Sequence, residues 1–96
     1  MCGDCVLWRP SPETLLIAIA VQKICNRVME ANGLKGIFNL VVDAGTSIGE
    51  MLIHDRRIPL ISFTGSTKVG RHAAEVVAGR LGRSILELGG NNGIIW

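Results

Sequence analysis

The sequence is short of cysteine, of charge of one sign and of long apolar runs. Only three cysteines occur, Cys2, Cys5 and Cys25. An odd count argues against a disulfide framework. Cys2-x-x-Cys5 has the spacing of a redox or metal-ligand pair. It has no second pair and no histidine near it, so we read chance spacing beside a strand and no metal site. Ten basic and eight acidic residues leave a net charge of +2 without a basic cluster, and nothing points to nucleic acid. No apolar run reaches membrane-spanning length. Leu15–Val21 is the most apolar stretch, and it lies inside a longer amphipathic pattern. Met1 is followed by Cys2-Gly3-Asp4-Cys5, without the basic and apolar segments of a secretory leader. The expected location is the cytoplasm or the mitochondrial matrix. No internal repeat, linker or low-complexity segment is found.

What is present is a chain of 96 residues, 48% hydrophobic, enough for one small domain. Cys5–Trp8 reads as a buried strand, ended by Arg9-Pro10-Ser11-Pro12 because proline cannot continue a central ladder. Ser11 is placed to cap a helix with Pro12 at its first position. Leu15, Ile19, Val21, Ile24, Cys25, Val28 and Met29 carry its apolar face to about Ala31, and Asn32-Gly33 stops it. Phe38–Val42 is a second strand, and Asp43-Ala44-Gly45-Thr46-Ser47 is turn chemistry. A short helix follows over Ser47–His54, then a third strand over Pro59–Phe63. Every strand is a nearly continuous apolar run, as expected for strands covered on both faces.

The most informative stretch is Ile61–Asn92. Gly65 ends the third strand, and Ser66 or Thr67 can cap a helix. Val69, Ala73, Val76, Val77 and Leu81 recur at helical spacing, so a helix is predicted over Ser66–Leu81. Gly82 stops it, and Ser84–Leu88 reads as a strand running out into Gly89-Gly90. A further strand is predicted at Gly93–Trp96. The order β-α-β-α-β-α-β predicts an α/β fold: a Rossmann-like, mostly parallel sheet with helices on both faces. In such sheets ligands bind beyond the carboxyl ends of the strands. Those ends carry Arg9, Asp43–Gly45, Thr64–Ser66 and Glu87–Gly89. A strand-end glycine lets the backbone approach a ligand. The following helix offers unpaired N–H groups and Ser66 a hydroxyl, a combination suited to a pyrophosphate. The spacing fits neither common nucleotide motif. Gly65 and Gly70 are spaced as in a P-loop, but Arg71-His72 replaces Lys-Ser/Thr, and no G-x-G-x-x-G occurs. From spacing alone, an ordinary strand-to-helix turn is an equal reading.

Phe63-Thr64-Gly65-Ser66-Thr67, followed at a distance by Glu87-Leu88-Gly89-Gly90, resembles the aldehyde dehydrogenase superfamily. Glu87-Leu88-Gly89-Gly90-Asn91-Asn92, preceded by Gly82-Arg83-Ser84, is most similar to the antiquitin branch, the α-aminoadipic semialdehyde dehydrogenases of lysine catabolism. The resemblance runs from about Gly3 to the last residue and includes Trp8-Arg9-Pro10. It implies NAD as cofactor, a small-molecule aldehyde as substrate and a homo-oligomeric full-length parent, with no role for nucleic acid or membrane. Arg9 stands where the family usually has a lysine on the adenosine ribose. A glutamate three residues further on often completes that contact, and Pro12 stands there instead. Gly45 matches a glycine that lets the adenine lie against the sheet. Gly65 and Ser66 match the pyrophosphate turn and Val69 a wall of the adenine slot. The main chain of Leu88 matches a contact to the nicotinamide carboxamide. Glu87 matches the general base that activates water for thioester hydrolysis. His54 and His72 match nothing catalytic and read as surface helix residues.

The family's nucleophilic cysteine lies downstream of the Glu-Leu-Gly-Gly motif, whereas Cys2, Cys5 and Cys25 all precede it. The chain is therefore expected to be an internal fragment of an NAD-binding domain, 1–96, without catalytic or oligomerisation domains and inactive alone. The implied reaction of the parent is oxidation of a semialdehyde to a carboxylate: thiolate attack, hydride transfer to nicotinamide, and hydrolysis by water that Glu87 activates. The alternative is a non-catalytic nucleotide-binding or interaction module that keeps a truncated Rossmann-like fold.

Overall fold

The computed structural model describes residues 3–90 and 93. Apart from Gly93, the predicted strand at Gly93–Trp96 lies outside them, as do the Asn91-Asn92 end of the long motif and Cys2. The chain divides into two compact units, Met1–Ile48 and Gly49–Trp96.

In the first unit, β1 (Val6–Trp8) pairs in parallel with β2 (Phe38–Leu40), with Val6 opposite Phe38 and Trp8 opposite Leu40. Between them runs α1 (Leu15–Ala31), entered through a 3₁₀ turn at Pro12–Thr14. Ser11 is the N-cap as predicted, and its hydroxyl accepts from the Glu13 N–H, with Pro12 filling a position that needs no donor. The helix proper starts three residues later than the proline pattern predicts, because the first turn is wound more tightly. Its packed side also differs from the prediction. Ala18 is buried, and Leu15, Gln22, Cys25 and Met29 are half-buried, a spacing of three, four, three and four. Ile19, Val21, Ile24 and Val28 are exposed. Gln22 fixes the rotation by donating through Nε2 to the Phe38 carbonyl at 2.9 Å. Trp8 and Phe38 pack as tilted rings with centroids 5.8 Å apart.

In the second unit, β3 (Leu60–Gly65) and β4 (Arg83–Leu88) are parallel over six residue pairs, from Leu60 opposite Arg83 to Gly65 opposite Leu88. Gly65 is the last paired residue of β3, which ends there as predicted but runs two residues beyond the expected Phe63. The helix α3 (Thr67–Gly79) connects them, and α2 (Ser47–His54) precedes β3. Ile53, Ala73 and Val77 form the core, with Ile61 and Val76 against it. Gly70 is buried because α3 lies on β4 there. A Cβ at this position would come 2.2 Å from a methyl of Leu88. Within β3, Ile61 and Phe63 are half-buried and their neighbours exposed, so the strand has one covered face where the apolar runs predict two.

The helix α3 ends two residues before the predicted Leu81. Leu81 N–H donates to the Ala78 carbonyl and Gly82 N–H to that of Val77, a Schellman closure. Its left-handed position is filled by Leu81, with φ of 62°, and its side chain is 94% exposed. A branched residue there is strained by about 1–2 kcal/mol. In a full-length enzyme carrying this segment, Leu81→Gly is expected to raise stability by about 1 kcal/mol, read as a higher urea midpoint. An unchanged or lower midpoint would mean that Leu81 contributes packing not evident from its exposure.

Candidate functional site

Each parallel pair brings the ends of two strands together at one edge, and the predicted residues are found there. In the first unit Arg9 leaves the end of β1 and meets the turn that follows β2. Its Nε and Nη2 donate to Asp43 Oδ1 at 3.1 and 2.9 Å, and Nη2 also donates to the Gly45 carbonyl. Asp43 Oδ2 accepts from the Ile48 N–H at 3.1 Å, so one carboxylate ties Arg9 to the start of α2. The Asp43 side chain is only 9% exposed, and that of Arg9 26%. Desolvation pulls the Asp43 carboxyl upward. The Ile48 N–H, the Arg9 guanidinium and Ser47 outweigh it and hold its pKa below the ordinary aspartate value. A carboxylate depressed in the folded state stabilises above its unfolded pKa of about 3.9 and loses that contribution as pH falls through the folded value. Carboxyl NMR titration is expected to place Asp43 below an exposed aspartate, and Arg9→Gln to move it back up. An Asp43 midpoint at the exposed value would contradict the ion pair.

The sequence places Arg9 and Asp43–Gly45 at the strand-end edge but gives Asp43 no role beyond turn chemistry. The available signal was an acidic residue ending an apolar strand on the edge that also carries an arginine. Gly45 has no atom within 4 Å of where a Cβ would stand, so its surroundings are open.

In the second unit the turn is built as predicted. Ser66 is the N-cap of α3 with extended backbone, and its Oγ accepts from the Val69 N–H at 3.3 Å. The hydroxyl keeps its own proton for a further acceptor. The first N–H groups of α3 and the positive end of its dipole face outward beyond β3. Val69 is 50% exposed. A Cβ on Gly65 would fall 2.6 Å from the Phe63 ring, so glycine here accommodates the aromatic beside it.

Glu87 lies opposite Thr64 across the parallel pair and is exposed. Thr64 Oγ1 donates to Glu87 Oε2 at 3.3 Å, a positioning contact absent from the sequence reading. Leu88 is half-buried, its side chain held against Gly70. The donor set of this edge fits a diphosphate. It comprises a helix N-terminus, a hydroxyl with its proton to donate, and a glycine turn without a carboxylate in the turn itself.

His54 and His72 are surface helix residues, as predicted. They share one partner, Glu50: His72 Nε2 donates to its carboxylate at 2.9 Å, and His54 Nδ1 to its carbonyl at 2.8 Å. Cys5 is exposed and Cys25 half-buried, both as free thiols. Among the described residues no three His, Cys, Asp or Glu side chains are grouped to hold a metal ion, and no helix is long and apolar enough to cross a membrane. Shallow hollows of about 330 and 220 Å³ lie along Pro12–Ile17 and Asn26–Gly36. They are open surface grooves, and neither includes a predicted site residue.

Parallel strand pairs joined through helices, with an Arg9–Asp43 pair at one strand-end edge and a capped helix N-terminus beside Glu87 at the other, define an α/β protein. The sequence profile of the aldehyde dehydrogenase family matches residues 1–96, and the chain belongs to that family. It is 48% identical over 95 residues to α-aminoadipic semialdehyde dehydrogenase of Bos taurus, covering 99% of this chain and 18% of that one. It is 47% identical over 95 residues to aldehyde dehydrogenase family 7 member A1 of Brassica napus, covering 99% and 19%. The resemblance to the antiquitin branch is thus borne out. The crystal structure of an NAD-dependent aldehyde dehydrogenase from Sinorhizobium meliloti superposes with a TM-score of 0.80 at 34% identity, over 90% of this chain and 16% of that one. The chain spans less than a fifth of the length of these relatives. Its parallel strands and connecting helices are those of the family's α/β fold.

Proposed function

We propose that residues 1–96 form part of the NAD-binding domain of an aldehyde dehydrogenase that oxidises an aldehyde, on the antiquitin-like reading aminoadipic semialdehyde, to a carboxylate. The observation that carries this reading is the second unit's edge. Within a chain of this family, a capped helix N-terminus follows Gly65, and a glutamate stands directly across the strand pair. On this reading the Gly65–Ser66 turn and the α3 N-terminus hold the pyrophosphate of NAD. By the family resemblance Val69 and the Leu88 main chain, in the second unit, are matched to an adenine wall and a carboxamide contact; separately, in the first unit, Gly45 is matched to an adenine contact and Arg9 to a ribose contact. NAD, when bound, supplies the hydride acceptor. Glu87, held by Thr64, takes a proton from the water that releases the acid from its thioester. The thiol itself is not Cys5 or Cys25, which precede the motif. The aldehyde is a small molecule bound by parts of a homo-oligomeric parent outside these residues, in the cytoplasm or the mitochondrial matrix.

Ser66 tests the cofactor half. Its oxygen caps α3, so Ser66→Ala removes a cap and a phosphate contact together, whereas Ser66→Asp keeps the cap and sets a negative charge at the turn. Calorimetric titration with NAD is expected to show weak binding to the wild type, several-fold weaker binding to Ser66→Ala, and none to Ser66→Asp. Equal affinity of Ser66→Asp and wild type would remove the pyrophosphate from this turn.

A further inference from the structure

We propose that Asp43 is a specificity-determining residue that suits the Arg9 end of the site to an unphosphorylated adenosine ribose and turns away a 2′-phosphate. The inference rests on the reading of Arg9 as the ribose contact. An unpaired arginine at the end of a nucleotide-binding strand is a phosphate reader. Its fork matches two phosphate oxygens, and such arginines accommodate the 2′-phosphate of NADP, whereas an acidic residue accepts from the 2′-hydroxyl of NAD. Arg9 alone would therefore predict the phosphorylated cofactor.

The guanidinium is not alone. Its Nε and Nη2 are engaged by Asp43 Oδ1, and Nη2 also by the Gly45 carbonyl. Nη1 is the nitrogen for which no partner is found among the described residues. The second Asp43 oxygen is engaged by the Ile48 N–H. The carboxylate therefore cannot swing aside for an incoming anion without losing both Arg9 and the start of α2. It is also shielded, with 9% of its side chain exposed, so solvent screens it little. A ribose hydroxyl would find the two N–H bonds of Nη1 and a carboxylate acceptor at this edge. A 2′-phosphate would find an arginine already neutralised and a fixed negative charge beside it.

The test measures adenosine ligands and not turnover. Binding of 5′-AMP and of 2′,5′-ADP to the full 96-residue chain is followed by equilibrium dialysis, which does not depend on oligomeric state. The wild type is expected to bind 5′-AMP more tightly. Asp43→Asn, and Asp43→Ser as a second variant that keeps an acceptor for the Ile48 N–H, are expected to shift the ratio toward 2′,5′-ADP by about tenfold. Asp43→Glu should resemble the wild type, and adding Arg9→Gln to Asp43→Asn should abolish the shift. A purely structural role would weaken both ligands alike, and that result, or an unchanged ratio in both neutral variants, overturns the proposal. If the wild type binds neither 5′-AMP nor NAD, the cofactor reading fails and this inference with it. If 5′-AMP binds and the ratio does not move, only this inference fails.

Discussion

Glu87→Gln in the full-length enzyme is expected to slow acid release by about a hundred- to ten-thousand-fold, the range removed with a general base. The first turnover should be largely spared. Glu87 stands at the end of β4, exposed and aligned with Thr64 on β3, so glutamine can occupy the same place and still accept the Thr64 hydroxyl. What it cannot do is accept a proton from water. Stopped-flow traces should therefore show a burst of NADH followed by a slow phase, because the acyl-enzyme forms and then waits. Thr64→Val should give a milder form of the same defect, since it loosens the carboxylate without removing it. Equal loss of the burst and the slow phase in Glu87→Gln would place Glu87 before the acyl-enzyme or outside the chemistry.

The isolated 96-residue chain is expected to self-associate and to show no sharp monomeric unfolding transition. Ala18, Ile53, Ala73 and Val77 are the buried hydrophobic residues among those described. On α1, Leu16 is 85% exposed and Ile17 67%, and on β4 Ile85 is 52% exposed. Backbone ordering opposes folding by about 1–2 kcal/mol per residue, and a core this small offsets little of it. Each described sheet has two strands, so every strand has an edge, and an apolar edge is a template for pairing with another chain. Sedimentation velocity should show oligomers whose size grows with concentration. A monodisperse monomer with a cooperative urea transition would show that these units stabilise themselves. The chain would then be better read as an independent module.

The sequence made the βαβ unit around α3 legible because three signals agree there: an apolar strand, a capping serine after glycine, and a helical repeat of Val69, Ala73 and Val77. It placed all but one of the predicted strands and helices within a few residues, the strand at Gly93–Trp96 lying, apart from Gly93, outside the described residues. The face of α1 was not legible. Leu15–Val21 is apolar nearly all round, so periodicity cannot choose a side, and the polar contact of Gln22 with β2 decides it. The end of α3 was misread because Leu81 fits the helical repeat, yet the chain turns left-handed there. The sequence puts Asp43 and Thr64 on the strand-end edge but does not show their partners, for a related reason. Each acts through a partner 34 or 23 residues away in sequence, a distance over which local pattern says nothing.

The central claim is that this chain is the cofactor-facing segment of an aldehyde dehydrogenase. The most direct measurement replaces the matching 95 residues of the bovine α-aminoadipic semialdehyde dehydrogenase, 48% identical, with this sequence. NAD affinity and NADH formation are then measured in the chimaera. The account predicts a folded enzyme that binds NAD, turns over aldehyde, and loses NAD binding on Ser66→Asp. A chimaera that folds and assembles like its parent but neither binds NAD nor forms NADH would contradict it.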